Sequence, residues 1–276
     1  MKDEQIKEIV KSRYAKVALK SVPCCGTQKS CCGSSISAED ISRQVGYGDN
    51  DLNSVPEGAN LGLGCGNPVA LASLREGDVV LDLGSGAGFD AFLAAAKVGS
   101  SGKVIGVDMT PEMIEKANAN AAKGDFQNVE FRLGEIENLP VADKEVDVII
   151  SNCVINLSPE KEGVFKEAFR VLKPDGHLMV SDLVLLKPLP EVVRQSVEAY
   201  VGCIAGAVMK DEYLSAIRAA GFHDVRVVSE DIYPVRLAVN DPLSQAIYSD
   251  ASVVSENVAD ILDSVASIKV SAIKRS

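Results

Sequence analysis

Three glycines spaced one residue apart follow an acidic residue in the run Asp82-Leu83-Gly84-Ser85-Gly86-Ala87-Gly88. Glycine carries no Cβ, so Gly84, Ser85, Gly86 and Gly88 offer backbone that a bulky ligand can approach closely. The spacing is Gly-x-Gly-x-Gly rather than the dinucleotide Gly-x-Gly-x-x-Gly, and the Asp82 carboxylate ahead of it disfavours a pyrophosphate. A ligand with positive charge and no phosphate suits this turn. Asp108 falls about 20 residues after Gly88, where a carboxylate can accept hydrogen bonds from both hydroxyls of a ribose. Met109 beside it can pack on an adenine, and Gly134, Glu135 and Ile136 can read the adenine amino group. Asn152 is expected to face the same crevice.

The second set of reactive groups is the seven cysteines. Cys65 lies in Leu63-Gly64-Cys65-Gly66-Asn67-Pro68, Cys153 directly follows Asn152, and Cys203 lies in Gly202-Cys203-Ile204-Ala205-Gly206-Ala207. A single cysteine often serves only as a small buried apolar residue. Three thiols from three separate segments can instead converge on one soft, three-coordinate centre, a donor set that selects against hard ions such as magnesium or calcium. The other four form the adjacent pairs Cys24-Cys25 and Cys31-Cys32. The start Met1-Lys2-Asp3-Glu4-Gln5 is charged, and no apolar run reaches membrane-spanning length. These features predict a soluble, cytoplasmic protein in which cysteines stay reduced and are not structural staples.

The elements that must position these groups alternate along the chain. Val79-Val80-Leu81-Asp82-Leu83, 103–107, 129–133, 146–150 and 177–182 are short apolar runs of the kind buried in a parallel sheet. Helical patterns separate them, at 90–98, from Thr110-Pro111-Glu112 onward, and at 159–172. Such alternation predicts right-handed crossovers and a doubly wound, mostly parallel α/β sheet. The glycine turn, Asp108, Gly134 and Asn152 then all fall at carboxyl ends of strands, where open α/β sheets bind ligands. Residues 2–20 are predicted helical, a weaker helix starts near Ser37, and the Gly/Asn/Pro-rich stretch 47–67 is predicted to be an irregular arm that orders on binding. Residues 190–220 are predicted helical, with two further strands at 225–228 and 267–273. The boundaries expected are 1–67 for a cysteine-bearing helical arm, 68–183 for the cofactor-binding core, and 184–276 for a substrate-side cap with a small C-terminal α+β extension.

The segment from Asp78 to about Val228, with the glycine turn and Arg170-Val171-Leu172-Lys173-Pro174-Asp175-Gly176-His177-Leu178, resembles the class I S-adenosylmethionine-dependent methyltransferases. The resemblance implies a Rossmann-like fold and S-adenosylmethionine as cofactor. A narrower resemblance rests on Gly64-Cys65-Gly66-Asn67-Pro68, residues 82–90, Ser151-Asn152-Cys153-Val154-Ile155-Asn156-Leu157-Ser158-Pro159 and Tyr14-Ala15-Lys16-Val17-Ala18. These look like the arsenite methyltransferases. That likeness implies that Cys65, Cys153 and Cys203 bind trivalent arsenic, supplied as arsenite or its thiol conjugates. It also implies that an amino-terminal cysteine works in a thiol-disulfide relay served by a reductant such as thioredoxin or glutathione. Among Cys24, Cys25, Cys31 and Cys32, the assignment made here is Cys32.

The bulk numbers set limits. A chain of 276 residues that is 46% hydrophobic can bury one substantial core. A net charge of −11 argues against a nucleic-acid partner, because phosphate binding needs a positive field. Neither of the two histidines, His177 and His223, falls on the predicted cofactor edge, so both are expected to be structural or solvent-facing. One rival reading is methyl transfer to a small organic acceptor, quinone- or sterol-like, with the cysteines as packing. Another is a zinc-clamped or metalloid-sensing module, against which the lack of Cys-x-x-Cys pairs speaks.

Overall fold

The computed structural model describes residues 3–19, 37–189, 203–232 and 264–276. Five parallel strands form its centre: β1 (Val79–Leu83), β2 (Lys103–Asp108), β3 (Val129–Leu133), β4 (Val146–Asn152) and β5 (Leu172–Leu185). Two more, β6 (His223–Ile232) and β7 (Val265–Ile273), complete a seven-stranded sheet of order β3-β2-β1-β4-β5-β7-β6. β7 lies antiparallel between β5 and β6. The doubly wound, mostly parallel sheet expected from the alternation of elements is present, and its order reverses beside β1.

Both faces of the central strands are buried, which explains their unbroken apolar runs. Leu81, Leu83, Ile105, Val107 and Ile149 point to one side, where Val164, Phe165, Ala168, Tyr213 and Ile217 cover them. These come from α7 (Lys161–Val171) and α8 (Lys210–Ala219), whose buried residues recur every three or four positions as a helix face requires. Val80, Val104, Val148 and Ile150 point the other way, against Ala91, Leu93, Ala94 and Val98 of α5 (Phe89–Val98). α6 (Pro111–Lys123) opens with proline in its first turn, where a missing N–H costs nothing.

The amino-terminal part lies over the carboxyl edge. α1 (Asp3–Leu19) packs on α6 and sets Val10, Ile6, Ile9 and Tyr14 against a cluster holding Cys65, Cys153, Leu157, Leu183, Cys203 and Ile204. α2 (Ala38–Gln44) starts at a capping box made by Ser37 and Asp40. The arm expected to be irregular carries α3 (Asp49–Asn53) and buries Tyr47, Ala59 and Asn67 before α4 (Pro68–Leu71) leads into the sheet.

Residues 203–209 differ from the helix predicted for this region: they form a turn that precedes α8. Cys203 has φ +65°, a left-handed conformation that a helix cannot contain. Residues 190–202 of that predicted helix lie outside the described residues. His177 meets the Ala72 carbonyl through Nε2 at 2.5 Å, and His223 begins the edge strand β6, both as structural positions. Among the described residues, no helix is long and apolar enough to cross a membrane.

Candidate active site

The cleft above the carboxyl ends of β1, β2 and β4 encloses roughly 1090 Å³ counted out into open solvent. Its floor is the turn after β1. Gly84, Gly86 and Gly88 all have positive φ, +66°, +51° and +95°. A Cβ on Gly84 would come within 2.3 Å of Val154, whereas one on Gly86 would meet nothing within 4 Å. Gly86 therefore exposes bare backbone to the cleft. Gly88 corrects an expectation: a Cβ there would strike Phe92 and Phe131, and the residue does not line the cleft. Its role is close packing of helix on sheet.

Asp108 fastens the turn. Its Oδ2 accepts from the Gly86 N–H at 3.0 Å and its Oδ1 from the Thr110 N–H at 2.9 Å. Burial raises its pKa, and those two N–H groups oppose the rise. Asp82 is buried, and the desolvation of its carboxyl, with the charges of Asp90 and Asp108 nearby, drives its pKa well upward. Among the described residues Asp82 Oδ2 and Ser85 Oγ have no hydrogen-bond partner, and both residues line the cleft. Buried polar atoms normally are paired, so a cationic, hydrogen-donating ligand fits this floor. Met109, Gly134 and Ile136 line the cleft as well.

Glu135 does not. Its carboxylate turns outward to Lys7 Nζ at 2.8 Å, and its place in the lining is taken by Glu137, which accepts from Ser158 Oγ at 2.7 Å. Lys7 on α1, which the local sequence around 135 could not signal, itself lines the cleft and pairs with both glutamates, with Glu135 at 2.8 Å and with Glu137 at 3.1 Å.

Asn152 is engaged on every side. Its Nδ2 reaches Asp90 Oδ2 at 2.9 Å, the Tyr47 hydroxyl at 2.8 Å and the Gly66 carbonyl at 2.8 Å, and its Oδ1 accepts from the Cys65 N–H at 3.0 Å. Tyr47 donates to Asp90 Oδ1 at 2.6 Å. This network, missed in the sequence, clamps the arm to β4 and α5 while Asn152 still lines the cleft. Burial raises Asp90 to about 6, against the hydrogen bonds from Tyr47 and Asn152.

A carboxyl whose folded pKa exceeds its unfolded one stabilises fully at low pH and loses that contribution as pH rises through the folded value. From Asp90 alone, stability should fall by roughly 1–2 kcal/mol between pH 5 and pH 8. Urea midpoints for wild type and Asp90→Asn across that range should show a flatter slope in the variant. Equal slopes would remove Asp90 from the account.

The cysteines expected to converge do so. Cys65, Cys153 and Cys203 are all buried in one cluster, and Cys153 lines the cleft. They are not three free thiols, however. Cys65 and Cys153 are joined as a disulfide with Cα atoms 5.8 Å apart, contrary to the expectation of reduced cysteines, while Cys203 stands outside that bridge and donates its S–H to the Cys153 carbonyl at 2.8 Å. Proximity drives the pairing: the Asn152 bond to the Cys65 N–H brings the arm to the tip of β4. Cys153 and Cys203 both hold positive φ, +60° and +65°, an uncommon state for non-glycine residues that collects at functional sites. Cys24, Cys25, Cys31 and Cys32, the relay candidates, lie outside the described residues.

Asp182 was not singled out in the sequence. It is wholly buried and pushed up to about 7 by desolvation, opposed first by the Leu183 N–H and then by Lys161 and Tyr213. A carboxylate oxygen of Asp182 and the sulfurs of Cys65 and Cys153 lie within 4.8 Å of one another.

Fold and cleft together define a class I methyltransferase architecture. Residues 74–221 match the family model described as a methyltransferase domain, and the chain belongs to that family. Within it the chain is similar to arsenite methyltransferases. One from Halobacterium salinarum is 50% identical over 235 residues, covering 83% of this chain and 60% of that protein. Another, from Aquipseudomonas alcaligenes, is 45% identical over 174 residues, covering 60% of this chain and 50% of that protein. The chain thus spans between half and three fifths of the length of these relatives. The crystal structure of an arsenic(III) S-adenosylmethionine methyltransferase from Chlamydomonas reinhardtii superposes with a TM-score of 0.61 at 31% identity, over 86% of this chain and 73% of the other. S-adenosylmethionine is accordingly the cofactor of the family.

Proposed function

We propose that this chain transfers a methyl group from S-adenosylmethionine to trivalent arsenic held by Cys65, Cys153 and Cys203. The observation that carries the reading is the gathering of these three cysteines, from three distant segments, in one buried cluster that opens on the cofactor cleft through Cys153. An organic acceptor would leave that gathering without a use.

Asp82 Oδ2 and Ser85 Oγ, without partners among the described residues, face the amino-acid end of the cofactor, the Asp108 carboxylate held by Gly86 and Thr110 faces its ribose, and Met109 and Ile136 offer an apolar wall to its adenine. When bound, the cofactor supplies an electrophilic methyl group on a sulfonium. The thiols act after the Cys65–Cys153 bridge has been opened by a dithiol or glutathione-type reductant. Each thiol then exchanges for one hydroxyl of neutral arsenous acid, forming an arsenic–sulfur bond and releasing water. Three-coordinate arsenic keeps its lone pair as the nucleophile, so no general base has to act on it, and positioning by the cysteine cluster supplies the acceleration. Methylation raises the formal oxidation state of arsenic by two, and closure of two thiols to a disulfide returns it. One of the amino-terminal cysteines, with Cys32 as the candidate, would pass that disulfide to the reductant. A reducing compartment such as the cytosol suits this cycle.

The test incubates reduced protein with S-adenosylmethionine, arsenite and a thiol, and separates arsenic species by chromatography with element-specific detection. Methylated arsenic that requires the thiol is expected. None, from protein shown by calorimetry to bind the cofactor, would return the organic-acceptor reading.

A further inference from the structure

We propose that, once its disulfide is reduced, the Cys65, Cys153 and Asp182 cluster is a binding site for a thiophilic divalent cation of the zinc and cadmium type. The inference rests on the donor set and needs no arsenic chemistry. Reduction by a dithiol transfers two electrons and two protons to the bridge, breaks the sulfur–sulfur bond and leaves two thiols, while the dithiol closes to its own disulfide. The two sulfurs then relax from bonded to non-bonded separation. Two thiolates on one tetrahedral zinc stand about 3.8 Å apart, the separation such a relaxed pair adopts, and a sulfur and an oxygen on the same ion stand about 3.6 Å apart. The carboxylate of Asp182 already stands beside the pair, with all three donor atoms within 4.8 Å of one another.

Asp182 is prepared as a ligand. Its Oδ1 is filled by two donors, Asn156 Nδ2 at 2.8 Å and the Leu183 N–H at 2.9 Å. Among the described residues its Oδ2 accepts only from the Tyr213 hydroxyl, at 3.1 Å, which leaves one lone-pair direction for a cation. Asn156 and Tyr213 are themselves fully buried and fix the carboxylate plane, as outer partners of metal ligands do. Cys153 lines the cleft and gives the ion its entry, and the two thiol protons leave to solvent as the ion binds. Cys203, on the Cys153 carbonyl, places a third thiol at the same cluster.

The experiment uses the full chain with Cys24, Cys25, Cys31 and Cys32 replaced by serine, so that only three thiols remain. The protein is reduced with a dithiol, desalted without air and titrated with cadmium chloride alone, following the ultraviolet thiolate-to-metal charge-transfer band. One cadmium per chain is expected, lost in Cys153→Ser and weakened at least ~10-fold in Asp182→Asn with the band retained. Asparagine preserves the shape and can still accept from Leu183 and Asn156 while donating to Tyr213. X-ray absorption on the zinc-loaded unsubstituted site reads the same point without a variant at Asp182: a sulfur shell with one short oxygen is expected. Absence of the band, an unchanged affinity in Asp182→Asn, or an all-sulfur shell would each overturn the proposal.

Discussion

In Cys153→Ser, arsenite methylation is expected to fall on the order of 100-fold or more while binding of S-adenosylmethionine is unchanged. Serine is nearly isosteric with cysteine and can hold the same left-handed backbone, whose N–H donates to the Ser181 carbonyl at 2.8 Å. The loss would therefore fall on arsenic capture rather than on the fold. Stability separates the two roles of the residue. The bridge joins positions 88 apart, so in the oxidised protein its removal should cost about 4–5 kcal/mol, and in the reduced protein very little. Turnover under excess thiol and urea unfolding with and without reductant check both halves. Full methylating activity in reduced Cys153→Ser would falsify the thiolate assignment.

The second large effect is expected at Gly86. Its φ of +51° makes alanine there cost about 1 kcal/mol in the folded state, and nothing in the protein obstructs the added methyl. That methyl projects onto backbone that the cofactor approaches, so Gly86→Ala should lose roughly 10-fold or more in cofactor affinity, about 1.4 kcal/mol, with only a small drop in Tm. Gly84→Ala should behave differently. Its methyl would overlap Val154, so stability falls first and binding with it. Calorimetric titration beside thermal melts distinguishes the pair, and equal cofactor affinity in Gly86→Ala and wild type would remove this turn from the cofactor site.

The core of the sheet was legible because a strand buried on two faces needs an uninterrupted apolar run, and Val79–Leu83 and Val129–Leu133 have the bounds the pattern predicts. The glycine turn was legible for a similar reason: positive φ leaves a mark in residue type. What escaped was decided by contacts between distant segments. Tyr47, Asp90 and Asn152 meet across separations of 43, 62 and 105 residues, and none sits in a motif that announces the other two. Asp182 reads as one polar residue in an apolar strand until Tyr213 and Asn156 are seen around it. Glu135 and Glu137 are indistinguishable by type, and both pair with Lys7; only the folded backbone, which exposes Glu135 and turns Glu137 into the cleft, separates them. The turn at Cys203 broke a helical pattern because apolar, alanine-rich sequence does not report backbone handedness.

The placement of β7 also imposes an order of assembly. Among the described residues β6 pairs with no strand but β7, and β7 follows it in the chain, so β6 has no place in the sheet until residues 265–273 have arrived. The same late strand brings Ser267, whose hydroxyl donates to the Cys65 carbonyl at 2.8 Å. During synthesis the five parallel strands can therefore associate first, with the segment bearing Cys65 lacking one of its anchors until β7 docks. Long-range pairing of this kind slows folding, and in refolding experiments protection of β1 and β4 amides should precede that of β6. A chain cut before β7 would retain the sequence of the cofactor turn yet expose two unpaired strand edges, the surfaces through which incomplete sheets aggregate.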